Sequence, residues 1–171
     1  MPLDEDLRLI ILEARPLMAF SLYTQTQADT LKRMRDEIEA IMDRWNDSAV
    51  HDWQRAYDFF WFWTLGAYEV LRTMDQHNSC FVPLVGAKVK VMKRQIAALR
   101  MPFAKQEFER GGGPIGGQNS VISVRNKSFR FRVAGTVFDV RDTMASVRDF
   151  LGSITRHDIL SAIPVAPTSS D

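Results

Sequence analysis

Arg72 and His77 are the residues whose types and spacing best suit a chemical reaction. They stand at the two ends of "RTMDQH", with four residues between them. A guanidinium carries a lasting positive charge that stabilises a phosphate, and an imidazole can exchange a proton near neutral pH. On a continuous helix, five positions correspond to about 140° of rotation. The two side chains therefore share a cleft only if the helix ends near Met74–Gln76.

This spacing resembles the Arg-x4–6-His motif of HEPN-superfamily proteins. These are small helical bundles, often dimeric, and many are ribonucleases that need no metal. The resemblance implies that Arg72 and His77 are catalytic residues at a scissile phosphate. It covers six residues and the helical character of the chain, and Thr73 stands where the family often has asparagine. The alternative is structural: Arg72 pairs with Glu69, and His77 is a terminal helix residue favoured by the helix dipole.

Other reactive residue types are scarce, since the chain has three histidines and one cysteine. His51 and His77 lie near opposite ends of one predicted helix, about 39 Å apart, so they cannot share a metal within one subunit. No Cys or His spacing matches a zinc site, and we expect no metal and no cofactor. Cys80 follows His77 by three residues, but nothing completes a nucleophilic triad, and a single cysteine usually packs as a small apolar side chain. The glycine stretch 111–117 lacks the Lys-Ser/Thr ending of a phosphate-binding loop.

A basic segment stands out in a chain whose net charge is only +1. Residues 76–138 contain 11 basic and 2 acidic residues, whereas residues 1–75 contain 8 basic and 14 acidic ones. A shared basic surface would suit nucleic acid or an acidic protein, and the alternative is pairing with the acidic N-terminal part. The residues predicted to bind nucleic acid are Lys88, Lys90, Lys93, Arg94, Arg125, Lys127, Arg130 and Arg132.

Five consecutive aromatic residues, "FFWFW", run from Phe59 to Trp63. No proline interrupts the surrounding stretch from Ala49 to Gln76, which predicts one long helix. Five residues exceed one helical turn, so the block is apolar on every side and fits a helix buried all round. We expect either the central helix of a bundle or a helix shared with a second copy. The predicted interface residues are Phe59, Trp61, Phe62 and Trp63.

The same helix leaves a third interpretation open, a ligand pocket with aromatic walls inside the bundle. Its alternative is a dry, packed core. The residues that would line such a pocket are Trp53, Tyr57, Trp61 and Trp63.

Hydrophobic periodicity predicts the elements that hold these residues. Apolar residues recur every three or four positions in stretches 4–15, 17–45, 83–103 and 144–154, which predicts helices. The first stretch also fits a short strand, and Pro16 and Pro102 are expected to break or kink the chain. After the glycine stretch the period becomes two, which predicts strands at 121–124, 129–133 and 136–140. The predicted fold is mainly α, a bundle of four or five helices with a small β-hairpin or three-stranded meander before the last helix.

Length and composition favour one domain. The chain has 171 residues, 46% of them hydrophobic, which is enough for a core. We expect a domain over residues 1–163 with a β insertion at about 120–140, and a disordered tail at 164–171. The single cysteine and the acidic start predict a cytoplasmic protein. The longest apolar block, Phe59–Tyr68, is about half the roughly 20 residues of a membrane span, so no membrane contact is expected.

These observations favour a cytosolic, dimer-forming interaction or regulatory protein that contacts an anionic partner through the basic segment. The alternative is a metal-independent, HEPN-like ribonuclease that uses Arg72 and His77. The sequence alone leaves open whether the protein is an enzyme.

Overall fold

The structure, a computed structural model, describes residues 5–44, 50–105, 121–125, 127–133 and 135–164. Within these residues the chain forms five α-helices and three strands, and the predicted mainly α bundle with a small sheet before the last helix is confirmed. The elements are α1 (Glu5–Ala14), α2 (Leu22–Arg44), α3 (Val50–Gln76), α4 (Pro83–Lys105), β1 (Val121–Arg125), β2 (Ser128–Val133), β3 (Thr136–Asp139) and α5 (Val140–Gly152).

Two predicted helix boundaries are corrected. The helix expected from residue 17 begins as a 3₁₀ turn, Pro16–Ala19, and α2 starts only at Leu22. The reason is Phe20, whose buried ring packs 4.7 Å from the ring of Phe81 and holds the chain at the bend. At Pro102, where a kink or an end is predicted, the helix does not end: α4 continues to Lys105. The proline costs the bond that its N–H would have made to Ala98 O, and the helix nevertheless continues for three more residues.

The sheet is an antiparallel meander in the order β1-β2-β3. Period-two alternation along β2 is confirmed, because Phe129, Phe131 and Val133 are buried while Arg132 is exposed. Lys127 connects β1 to β2 with a φ of 53°, in the left-handed region that a tight hairpin turn requires. The apolar face of β2 therefore points into the protein.

α3 is the central element of the bundle. It packs against α2 on one side and α4 on the other, and α5 packs against β2 and α2. The sheet covers the N-terminal half of α3, where the ring of Phe131 lies 5.7 Å from that of Phe60. Buried residues of these helices and the sheet form one hydrophobic cluster. The helix that carries Arg72, and that ends directly before His77, is thus part of this single hydrophobic core.

Asp139 joins the sheet to α5. Its carboxylate caps α5 by accepting hydrogen bonds from the backbone N–H groups of Arg141, at 3.0 Å, and Asp142, at 3.3 Å. It also accepts one from the hydroxyl of Ser128, at 2.7 Å. A cap of this kind stabilises a helix by about 0.5–2 kcal/mol.

Residues 158–163 form a strap that is hydrogen-bonded to the turn between α3 and α4 and, through Ile163, to Phe20. Its centre is an antiparallel bridge between Phe81 and Ile159. The supporting backbone hydrogen bonds run from Val82 N to Asp158 O (2.9 Å), from Leu160 N to Cys80 O (2.8 Å) and from Ile163 N to Phe20 O (2.9 Å).

Candidate functional site

α3 ends within the range Met74–Gln76 that a shared cleft for Arg72 and His77 requires, although the His77 N–H still donates to Thr73 O at 3.2 Å. The helix ends at Gln76, and His77 is the next residue. The Arg72 guanidinium, however, already binds a carboxylate: its Nε and Nη2 lie 2.7 and 2.6 Å from Glu69 Oε2. Both side chains are well exposed, so the pair can exchange with water or a ligand.

The His77 ring has a different neighbour. It is half-buried, and its centroid lies 6.3 Å from that of Phe20. His77 also precedes the 3₁₀ turn Asn78–Cys80, without a side-chain capping bond. Arg72 and His77 therefore lie close in the chain, but each has its own partner, Glu69 for the first and Phe20 for the second.

The basic segment is partly paired inside the chain. Lys93 forms an ion pair with Asp75 of α3, Arg130 Nε lies 3.5 Å from Asp139 Oδ2, and Lys127 Nζ donates to Asp43 O at 2.7 Å. Three of the eight predicted nucleic-acid-binding residues thus have a partner within the chain, and of these only Lys93 pairs with a carboxylate of the acidic N-terminal part. The side chain of Arg125 lies outside the described residues. The exposed members are Lys88, Lys90, Arg94, Lys127 and Arg132, and of these Lys127 has the contact to Asp43 O.

The aromatic block divides between core and surface. Phe60 and Trp63 are 0% and 2% exposed, and Trp63 Nε1 donates to Leu31 O at 3.2 Å. Phe59 and Trp61 are half-buried, whereas Phe62 is 54% exposed. The expectation of a helix buried all round is therefore corrected for a single chain. Trp63, predicted at an interface, belongs to the core because α2 covers it.

The outer face of α3, as defined here, consists of Arg55, Asp58, Phe62, Leu65 and Glu69, which recur at three- and four-residue spacing. Phe62 is its most exposed apolar residue, and its ring lies 4.8 Å from that of Trp61. Arg55 reaches Glu37 of α2 at 2.9 Å. The outer face thus combines one exposed aromatic side chain, Phe62, and the partly buried Leu65 with charges of both signs.

The predicted pocket of aromatic residues is not formed as a unit. The rings of Trp53 and Tyr57 pack on the sheet, 6.5 Å from Phe129 and 5.9 Å from Phe131 respectively. Burial, with a smaller contribution from Asp58, raises the pKa of the Tyr57 phenol.

Trp63 instead lines a cavity of about 580 Å³ between α2, α5 and the Pro16–Ala19 turn. Sequence reasoning missed this cavity because its walls come from segments more than 100 residues apart. The one signal available in advance was Gln25, a polar residue on the buried side of α2.

The remaining candidates concern metals, thiols and membranes. Cys80 is buried, with its Sγ 3.5 Å from Ala162 O. Within the described residues, no three side chains among His, Cys, Asp and Glu are grouped to hold a metal ion. The described helices also include none with the length and apolar character needed to cross a bilayer.

Comparisons with known proteins provide no functional assignment, so any functional conclusion rests on the geometry described above. No protein-family model matches the chain, and no curated protein or solved structure matches it either. The resemblance to HEPN proteins thus still rests on the motif at Arg72 and His77 and on the helical character of the chain.

Proposed function

We propose that this is a cytoplasmic interaction protein without catalytic activity, which forms a homodimer through the outer face of α3. The observation that carries the proposal is Phe62, a phenylalanine 54% exposed at the middle of the 27-residue central helix. Large exposed apolar side chains beside other aromatic rings are favourable contact points for a partner. Trp61, whose ring touches that of Phe62, extends the same patch.

The arrangement of charges on the outer face favours a second copy of the chain as the partner. Arg55 and Glu69 lie seven residues before and seven residues after Phe62, so all three lie within about 20° of one line along the helix. Two antiparallel copies of α3 that meet at Phe62 place Arg55 of one copy opposite Glu69 of the partner subunit, and the reverse pair forms as well. A two-fold interface requires this kind of self-complementarity.

The size of the face predicts a weak dimer. A helix of 27 residues is about 40 Å long and about 10 Å wide, so one face offers roughly 400 Å². Stable interfaces bury about 800 Å² per partner. We therefore expect a dissociation constant in the micromolar range, in which dimerisation responds to protein concentration and suits a regulatory role.

The test is sedimentation velocity over about 1–100 μM protein. The wild-type chain is expected to shift from monomer to dimer across this range, and Phe62→Asp is expected to remain monomeric. Leu84→Asp is the matched control, because Leu84 is also a large exposed apolar residue, 67% against 54% for Phe62, but lies on α4. A wild-type chain that stays monomeric at the highest concentration would rule the proposal out, as would an equal effect of both substitutions.

An anionic partner, either nucleic acid or an acidic protein, is the second element of the same proposal. Its support is the exposure of Lys88, Lys90, Arg94 and Arg132. Binding of single-stranded RNA is expected to weaken steeply with salt, and Arg94→Ala with Arg132→Ala is expected to lower the salt slope by at most about two. If RNA does not bind at low ionic strength, the nucleic-acid version is discarded, and an acidic peptide is the next probe.

A metal-independent ribonuclease is the second candidate function. The observation that supports it is the end of α3 at Gln76, because Arg72 and His77 can share a cleft only if the helix ends in this region. Arg72 would bind the phosphate after exchanging Glu69 for it, and His77 would transfer the proton.

The ribonuclease is tested by incubating single-stranded RNA with the protein in EDTA. Cleavage is expected to survive chelation and to disappear in His77→Ala. His157→Ala is the matched control, since His157 is an exposed histidine elsewhere on the surface. Cleavage that persists in His77→Ala would identify a contaminating nuclease and remove this candidate.

A further inference from the structure

Within the described residues β3 is an edge strand, because the sheet has the order β1-β2-β3 and β3 pairs only with β2. All four residues of β3 line a groove of about 550 Å³, whose other walls are parts of α4 and α5. They include Phe138, opposite Phe131 on the inner face of the sheet, and Val137, opposite Arg132 on the outer face. Because side chains from both faces line it, the groove runs along the free edge of β3.

The register of the hairpin shows which backbone groups lie on this edge. Two residues, at positions 134 and 135, connect β2 to β3, so Val133 and Thr136 form the hydrogen-bonded pair that closes the hairpin. Hydrogen-bonded and non-hydrogen-bonded pairs alternate along an antiparallel ladder, which makes Arg132 and Val137 a non-hydrogen-bonded pair. The N–H and C=O of Val137 therefore point away from β2.

Val137 offers a donor and an acceptor to a ligand in the groove. Among the described residues neither its N–H nor its C=O has a hydrogen-bond partner, and the residue is 47% exposed. At Asp139, the next residue that points the same way, the C=O already accepts from the Thr143 hydroxyl at 2.6 Å. One residue of an extended peptide can exchange both bonds with Val137, which is the pairing used when a peptide adds a strand to a sheet.

The walls of the groove restrict what can reach this edge. Met92 and Gln95 of α4 and Asp142 and Ser146 of α5 line it beside β3. A second copy carries the same two helices beside its own β3, so two folded chains that brought these edges together would bring their helices together first. A single extended chain needs only the spacing of one added strand, about 4.8 Å from β3. The shape of the groove therefore favours a peptide segment over a second copy.

The charges of the groove favour a basic residue in that segment. Arg130 and Asp139 line it, and they compensate each other because Arg130 Nε lies 3.5 Å from Asp139 Oδ2. Asp142 also lines it, is exposed, and forms no ion pair within the described residues. The neighbouring cations Arg94 and Arg132 are not among the lining residues. The carboxylate of Asp142 is thus the uncompensated charge in the groove.

We propose that the free edge of β3 is a docking site for an extended peptide segment of a partner protein, which adds a fourth strand to the sheet. One residue of the segment pairs with Val137, and its neighbours in the segment turn apolar side chains to the side of Phe138. A lysine or arginine of the segment pairs with Asp142. This site is separate from the outer face of α3 and from Arg72 and His77.

Hydrogen exchange measured by NMR tests whether the edge is free. We expect the Val137 amide to exchange at least about tenfold faster than the Phe138 amide, because the register places the Phe138 N–H in the ladder with β2. A Val137 amide as protected as that of Phe138 would contradict the free edge and overturn the proposal.

A phage-displayed library of random peptides of about seven residues, the length of a short strand, supplies the probe. Selection on the folded chain is expected to enrich sequences that alternate apolar and polar residues and contain a lysine or arginine. A synthetic peptide of the enriched sequence is expected to bind with a micromolar dissociation constant and to slow exchange of the Val137 amide. N-methylation of its residue opposite Val137 is expected to weaken binding about tenfold, as for a lost hydrogen bond.

Val137→Pro tests the same contact from the side of the protein. Proline removes an N–H that β2 does not use, and edge strands tolerate proline at such positions. This variant is expected to bind the peptide at least about tenfold more weakly, whereas Val137→Thr, which keeps the N–H and the branched shape, binds like the wild type. Circular dichroism checks that both variants are folded.

Asp142→Asn is expected to weaken the peptide by about three- to tenfold. Asp52→Asn is the matched control, since Asp52 is also an acidic residue in the first turn of a helix, α3, and it is expected to leave binding unchanged. Failure to enrich any peptide would overturn the proposal, as would equal binding to folded Val137→Pro and Val137→Thr. So would a loss of self-association in Val137→Pro, because that result would identify a second copy as the occupant of the edge.

Discussion

Five consecutive aromatic residues contribute side chains to both faces of α3, but the two faces differ in what covers them. On the inner face, Phe60 and Trp63 are enclosed by the sheet and α2, and the indole N–H of Trp63 has a backbone partner. On the outer face, Phe62 has a ring contact with Trp61 and is otherwise open to solvent. An aromatic run longer than one turn necessarily presents side chains in both directions. The difference teaches that such a run marks a central helix without telling which of its residues form the core.

Substitution on the inner face should have the largest effect. Trp63→Ala removes a fully buried indole and its hydrogen bond to Leu31 O, so we expect the free energy of unfolding to fall by about 3–5 kcal/mol. Urea denaturation at a concentration below dimer formation measures this loss. Phe62→Ala, the matched change on the outer face, is expected to cost less than about 1 kcal/mol in the same experiment. Equal losses would contradict the distinction between the two faces.

Charge reversal on the outer face should have an intermediate effect. Arg55→Glu alone, or Glu69→Arg alone, places like charges opposite each other across the proposed two-fold axis. Each is expected to weaken dimerisation by about three- to tenfold, in line with exposed ion pairs that occur twice per interface.

The double variant Arg55→Glu with Glu69→Arg should recover most of that loss, since opposite charges face each other again. Sedimentation equilibrium checks this pattern, and association must be measured because both residues also pair within the chain, Arg55 with Glu37 and Glu69 with Arg72. If the double variant is weaker than either single variant, the antiparallel arrangement is incorrect.

The smallest expected effect concerns the ionisation of Tyr57, which lies at the edge of the inner face. Burial raises the pKa of the Tyr57 phenol, so the folded protein favours the neutral form. The corresponding stabilisation is complete below the ordinary tyrosine pKa of about 10, and it is lost as the pH rises through the raised value of the folded state. Tyrosinate absorbance should show one tyrosine ionising late, and Tyr57→Phe should remove that step. A titration unchanged by Tyr57→Phe would contradict the assignment.

The elements of the fold could be predicted because each depends on local periodicity. Leu31, Ile38 and Ile41 recur at helical spacing and are buried in α2, and the alternation along β2 fixed the face of Phe129 and Phe131. The end of α3 at Gln76 was also within reach, since His77-Asn-Ser begins a turn. The break at Phe20 was not, because it depends on a contact with Phe81, sixty-one residues later in the chain.

The functional surfaces were less predictable because they depend on tertiary pairing. A count of charges could not show that Lys93 pairs with Asp75 or that Lys127 donates to Asp43 O. Each contact gives one of the predicted nucleic-acid-binding residues a partner within the chain. The cavity that Trp63 lines was even less predictable from the sequence. Gln25 and Val147 belong to different helices, and neither has a sequence pattern that indicates the other.

The strap formed by residues 158–163 has a consequence for the order in which the chain folds during synthesis. α2, α3 and α4 are complete in the sequence by residue 105, and they can associate before the strap is made because their contacts are mostly between neighbouring helices. The bonds from Val82 to Asp158 and from Leu160 to Cys80 can form only some fifty residues later, which is a delay of roughly 2–10 s at typical translation rates. During that interval the turn around Cys80 lacks these bonds, so we expect its thiol to be accessible to alkylation in a chain truncated after residue 152 and protected in the 171-residue chain.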